Sequence, residues 1–284
     1  MRRISLLLLL LALTQAAATP DRIVTLAPGL SEIVVALGAE SRMVGRSRFC
    51  DHPPRIRRLP EVGGLWDPNL EQMVRLDPDL VILYPEQRKP LAVLDGRIRR
   101  LVVPHRSLED LYGSIRAIAA EIGLESRGRA LEDRLKTNLR DVSARVRGRA
   151  PVPVLLIAGR NPEQLRNITL IGRGDFLNTL IEIAGGVNAY RGDIPYPTVS
   201  LEAVIAMRPE HIFEFSLAFE SIPHERVRAL WAEYPLIPAV KQNRIHIVTD
   251  PVWVRPGPRI DTVAQRFLRL LHPQNGNPRS EAKR

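Results

Sequence analysis

The stretch NLEQMVRLDPDL, residues 69–80, returns as SLEAVIAMRPEH, residues 200–211, at an offset of 131 residues. Polar cap, Leu, Glu, apolar pair and Pro all stay in register. Asn69 and Ser200 are good N-caps, Pro78 and Pro209 stop a helix, and a continuous apolar strand follows each copy. A second pair of stretches, SEIVVALGAESRMVG and NTLIEIAGGVNAYRG, corresponds at a nearby offset. The chain therefore reads as two related lobes.

Outward from the repeat, short β-rich runs alternate with amphipathic helices. RIVTL (22–26), MVGRS (43–47), LVILY (80–84) and RLVVP (100–104) read as strands, and Ser31 to Leu37 reads as a helix stopped by Gly38. From Glu125 to Arg147 there is no proline, and Leu131, Leu135, Leu139, Val142 and Val146 recur at helical spacing. A helix of that length spans roughly 35 Å. The α/β pattern then restarts with VLLIAG, ITLIG, a helix ending at Ala184, the strands HIFEF and RIHIV, and a last helix from about Pro258 to Leu271. The expected fold class is α/β, two similar lobes with central, mainly parallel sheets joined by one long rigid α-helix. The boundaries are an amino-terminal lobe over 22–124, the linking helix over 125–148, a carboxy-terminal lobe over 152–272 and a polar, disordered tail over 273–284.

Arg2 and Arg3, the apolar run Ile4 to Leu13 and Ala16, Ala17 and Ala18 form the order of a secretory signal over residues 1–18. The run is shorter than the roughly 20 residues that span a bilayer. Its removal takes away two arginines and no acid, so the formal charge falls from +10 to +8. Cys50, the single cysteine, lies too far along to be an acylated first residue and has no partner for an internal disulfide. The reading is a soluble periplasmic protein and not a lipoprotein. Its arginines are scattered, with no continuous basic block, which argues against nucleic acid as a partner.

Taken alone, Glu71 and Glu202 are accounted for by the helix dipole, which favours an acid in the first turn by about 0.3–1 kcal/mol. The same phrase opens a third helix at Ser107-Leu108-Glu109, where Asp110 completes a capping box. Duplication adds a second reading, because equivalent acids on two lobes present a pair of anions to a partner with two basic pockets.

The run VGRSRFCDHPPRIRRLPEVGGLWDPNLEQMVRLDPDLVI, with IPYPTVSLEAVIAMRPEHIF and the late WVRPGPRI, resembles the periplasmic cobalamin- and ferric-siderophore-binding proteins that feed ABC importers. The resemblance covers about Arg22 to His272. It implies a class III substrate-binding protein, its ligand held between lobes that a rigid helix keeps from wide hinge motion. It also implies docking of Glu71 and Glu202 on arginines of a permease dimer that works with ATPase subunits. A monomer is expected, since the exposed face meets a transporter.

Ligands in α/β lobes bind at the carboxyl ends of strands. Phe49, Trp66, Tyr84, Tyr196 and Trp253 fit that place in a chain with only 5% aromatic residues, and flat rings suit a large, partly apolar macrocycle such as cobalamin. Phe49, Trp66 and Tyr196 match aromatic positions of cobalamin-binding members, with Tyr196 where those members have Trp. Asp250 and Arg255 are expected to hydrogen-bond polar ligand edges, while Arg259 suits the start of the last helix or a lobe contact. A ferric siderophore is the alternative cargo, for which Arg46, Arg48, Arg88 and Arg255 offer guanidinium groups. Haem is a third, with His52, His105 and Tyr190 as available axial ligands.

A secreted α/β hydrolase is the competing class. The chain has no G-x-S-x-G elbow, no phosphate-binding loop and no H-E-x-x-H or H-x-x-x-H spacing. Cys50, Asp51 and His52 bring together a nucleophile and bases, although adjacent loop residues rarely converge. No catalytic residue and no resident metal or cofactor is expected.

Overall fold

A computed structural model of the chain describes residues 19–94, 96–215 and 223–273. The expected signal segment (1–18) and all of the expected tail except residue 273 lie outside these. Among the described residues no helix is long and apolar enough to cross a membrane.

Four parallel strands, β1 (Ile23–Thr25), β2 (Met43–Arg46), β3 (Leu80–Leu83) and β4 (Arg100–Val102), form the first sheet in the order β2-β1-β3-β4. Helix α1 (Pro28–Ala36) connects β1 to β2, α2 (Leu70–Arg75) leads into β3, and α3 (Leu108–Glu121) follows β4. The capping box at the start of α3 is formed by Ser107 and Asp110. Helix α3 buries Leu111, Ile115 and Ile118. Next comes the long helix α4 (Glu125–Ala144), beyond which turns run to Gly148.

The second sheet is built from β5 (Val152–Gly159), β6 (Ile168–Leu170), β7 (Gly186–Asn188), β8 (Thr198–Val199), β9 (His211–Phe215) and β10 (Ile245–Val248). Helices α5 (Phe176–Ile183), α6 (Leu201–Met207), α7 (His224–Ala232), α8 (Pro238–Lys241) and α9 (Ile260–Leu271) surround it. Strands β7, β5, β9 and β10 run parallel in that spatial order, which repeats the first sheet; β6 and β8 are antiparallel additions. The repeat extends to the backbone: α2 and α6 both end before a non-glycine residue at positive φ, Asp77 (41°) and Arg208 (50°), that precedes the helix-stopping proline.

Continuous apolar strands follow from burial of both sheet faces. Ile23, Leu80 and Ile82 face a core shared with Val154, Leu156 and Phe213 of the other lobe, whereas Val81 and Leu155 face separate outer clusters. The shared core continues through α4, whose Leu131, Leu135, Leu139 and Val142 pack beneath α3 on one side and α5 and α9 on the other. Gly128 permits the close α3 contact, since a Cβ there would lie 2.5 Å from that of Ala119. One apolar body thus runs under both lobes.

Candidate functional site: the cleft between the lobes

Above the shared core the lobes are held by polar struts. Arg259 grips Glu32 with two hydrogen bonds of 2.8 and 2.5 Å, and Glu32 is 5% exposed. Arg255 spans to Asp51 at 2.5 and 3.2 Å and to the carbonyl of Phe49 at 3.2 Å. The Phe176 amide donates to the Arg106 carbonyl at 2.7 Å. Gly29 sits where the lobes touch, because a Cβ there would lie 2.2 Å from the Pro256 carbonyl oxygen.

Since β1 to β4 are parallel, the loops that follow them leave the same edge of the sheet. The loop after β2 carries Phe49, 46% exposed, and the loop before α2 carries Trp66, 68% exposed. Arg48 ties these loops together through Asp67 at 2.9 Å and the Gly63 carbonyl at 2.9 Å. Gln87, buried, accepts from the Tyr84 amide and donates to the carbonyls of Leu26 and Leu65, so it fixes three loops at one point. Tyr84 is mostly buried: its ring lies 3.9 Å from that of His105, and burial pushes its phenol pKa well up. His105 in turn meets Glu86 at 3.2 Å. From the other lobe Tyr196, 44% exposed, donates its hydroxyl to Asp175 at 2.5 Å. Arg106 and Glu86 lie close enough to Tyr196 to act on it electrostatically, which puts it across from the first lobe.

The remaining residues expected at the site are engaged elsewhere. Trp253, 6% exposed, packs edge-on against Phe267 at 4.8 Å and tilted against Phe213, as a core residue. Asp250 caps the turn at Pro251–Val254 and pairs with Arg266 at 2.6 Å. Arg255 is an inter-lobe strut. Arg46 is buried and paired with Glu61, and Arg48 is paired with Asp67; of the four arginines considered for an anionic chelate, Arg88 alone is unpaired among the described residues. Tyr190 packs on the outer core of the second lobe. Cys50 is 1% exposed with Sγ 3.3 Å from the Ser47 hydroxyl, and burial pushes its thiol pKa up, the opposite of what a nucleophile requires.

Glu71 and Glu202 both stand exposed in the first turn of their helices. Asn69 caps α2 by accepting from Gln72 N at 2.9 Å, and Ser200 caps α6 by accepting from Ala203 N at 3.4 Å. Glu71 pairs with Arg75 at 2.7 Å, while Ser200 hydrogen-bonds the Glu202 carboxylate and holds its pKa down. A concavity of about 720 Å³ opens beside Glu202, lined also by Glu163, Arg166 and Tyr234. It lies on the second lobe alone and includes none of the cleft aromatics.

The sequence did not single out Gln87, Asp175 or the strut acid Glu32, and it offered Asp51 as a base beside Cys50 where the structure uses it as a strut to Arg255. Of the three not singled out, only Asp175 had a local signal, as a helix-capping residue before an apolar run.

A model of the family described as periplasmic binding protein matches residues 23–251. A vitamin B12-binding protein of Vibrio cholerae is 26% identical over 263 residues, 89% of this chain and 91% of that protein. The solved periplasmic vitamin B12-binding protein of Vibrio cholerae superposes with a TM-score of 0.71 at 23% identity, covering 89% of this chain and 97% of that one. A periplasmic heme-binding protein of the same organism superposes with a TM-score of 0.78 at 22% identity, covering 89% and 99%.

Proposed function

The chain belongs to the periplasmic binding protein family, and from that premise we propose that it is the substrate-binding component of an ABC importer whose cargo is cobalamin or a related corrinoid. The observation that carries the cargo is the set of three partly exposed rings, Phe49, Trp66 and Tyr196, offered by both lobes around one cleft. Large aromatics left this exposed lose water-facing apolar area when a flat macrocycle covers them. The family's curated vitamin B12-binding relatives support the same reading.

The arginines speak against a ferric siderophore. An anionic chelate needs several free guanidinium groups turned to it, whereas Arg46, Arg48 and Arg255 are already paired with carboxylates. Tyr84 forms the cleft floor. Trp253, Asp250 and Arg255 hold the frame on which the rings stand. The chain acts by binding and not by catalysis. It works as a periplasmic monomer after loss of residues 1–18, with lobes over 22–124 and 152–272.

Glu71 and Glu202 dock on a permease dimer that is driven by its ATPase subunits. Each projects into solvent from a short capped helix, so the repeated phrase serves two equivalent contacts. The shared core and the three struts favour small rearrangements on binding over a wide hinge.

The test is a titration of residues 19–284 with cyanocobalamin, followed by tryptophan fluorescence and heat together. One-to-one saturable binding that Trp66→Ala weakens is the expected result. Absence of binding rejects the corrinoid and moves the search to ferric siderophores and then haem. The Glu71→Arg, Glu202→Arg double variant should abolish uptake and leave affinity unchanged; a loss of affinity would sink the docking assignment.

A further inference from the structure

Tyr196 is held at three points. Its neighbours Pro195 and Pro197 accept backbone hydrogen bonds from Gly172 at 2.7 Å and Leu170 at 2.9 Å, which fix the chain on both sides of the ring. Its hydroxyl is fixed by Asp175. Asp175 is 6% exposed, and its two oxygens have separate tasks. Oδ1 accepts from Leu177 N at 2.8 Å and caps α5, whereas Oδ2 accepts from Tyr196. The next residue, Phe176, makes the backbone strut to Arg106 of the other lobe. A buried carboxylate at the seam therefore sets the attitude of a cleft ring, leaving the ring, and not its oxygen, to meet a ligand.

Resting on the proposed function, we infer that Asp175 is a positioning residue for ligand binding, which keeps the Tyr196 hydroxyl as a hydrogen-bond donor and presents the ring as a stacking surface. In that role Tyr196 cannot serve as a phenolate ligand to iron, the way in which a tyrosine holds a haem. The ligand class favoured is one whose metal needs no bond from the protein, such as a corrinoid with both axial positions filled by its own groups. Burial, with the charge of Asp175 and the hydrogen bond to it, pushes the phenol pKa of Tyr196 upward, in keeping with a proton that stays on the phenol.

The experiment compares Asp175→Asn, Tyr196→Phe and the double variant with the parent protein, each shown to be folded by its melting curve. Asparagine retains an oxygen for the Leu177 amide and turns an amide group toward the tyrosine hydroxyl. Affinity for cyanocobalamin should fall about tenfold in Asp175→Asn, the size of one charge-assisted hydrogen bond. It should fall no further when the change is made in the Tyr196→Phe protein. An equal fall in both backgrounds, or none in the parent, would overturn the positioning role.

A second readout needs no ligand. Phenolate absorbance during an alkaline titration, taken as the difference from Tyr196→Phe, should show Tyr196 ionising at lower pH in Asp175→Asn than in the parent. An unchanged ionisation overturns the inference whatever the cargo is. Failure of cyanocobalamin to bind the parent, with this shift present, rejects the corrinoid reading and leaves the pinned phenol standing. Hemin added to the parent should give no phenolate-to-iron absorption; such a band, lost in Tyr196→Phe, overturns the inference as well.

Discussion

At matching places in the two sheets, 131 residues apart, the first lobe has Leu80 and Leu83 where the second has His211 and Glu214. All four are almost fully buried. Leu80 and Leu83 need only apolar neighbours. His211 instead meets His246 at 3.0 Å, and Glu214 is satisfied by Arg160 at 2.9 Å and the Trp231 indole at 2.8 Å. The outward helix phrase is repeated while the interior beneath it differs. Exposed caps and acids answer to solvent and partners, whereas each interior has only to fill and satisfy itself.

The strongest way to break this comparison is Glu214→Leu, which gives the second lobe the first lobe's residue. It strands the buried Arg160 guanidinium and the Trp231 N–H, and should cost about 3–5 kcal/mol in urea unfolding. A cost near zero would mean that the polar set is not holding the lobe. Arg259→Ala tests the seam that both lobes share. It leaves Glu32 buried and unpaired, and should lower stability by about 3 kcal/mol while unfolding remains a single transition.

A pH series separates the lobes more gently. Burial, with His246, Arg244 and His272, depresses His211 to about 3; burial, with Arg228 and Arg244, depresses His246 to about 4. The unfolded chain takes up protons from about pH 6.5 downward that the folded chain refuses, so this stability is present above pH 6.5 and lost on acidification toward pH 4. Each refused proton steepens the fall by up to about 1.4 kcal/mol per pH unit. Replacing both histidines by leucine should flatten the urea midpoint across that range.

The smallest effects belong to the repeated caps. Asn69→Ala should cost about 1 kcal/mol, and Ser200→Ala only a few tenths because its bond is longer, 3.4 against 2.9 Å. Equal costs, measured by thermal melting, would show that the two copies are energetically alike. Cap loss also separates structure from docking. Neither alanine variant removes the adjacent glutamate.

Local features were legible. The alternation of strand and helix, the capping residues and the stops at proline depend on neighbours within a few residues, the duplication shows on comparing one half of the chain with the other, and the structure carries them all. The expected strand ITLIG forms as β6, but its antiparallel partner β8 has only two residues and left no periodic signal. The candidate site was legible in part. Phe49, Trp66 and Tyr196 are exposed beside the seam, yet Trp66 and Trp253 follow equally turn-rich stretches and end at 68% and 6% exposure.

The sequence by itself determined where proline and glycine stop helices, which main runs are strands and that one lobe echoes the other; it left out α7 and α8 and started α1 three residues late, at Ser31 instead of Pro28. The stops and the strand runs are short-range matters of dihedral preference, capping and period. Only the tertiary structure decided which arginines are spent as struts, which tryptophan packs the core and which carboxylate aims Tyr196. Asp51 and Arg255 stand 204 residues apart, and Glu32 and Arg259 stand 227 apart. Such partners are chosen by the packing of two sheets on one shared core, and no local pattern records them.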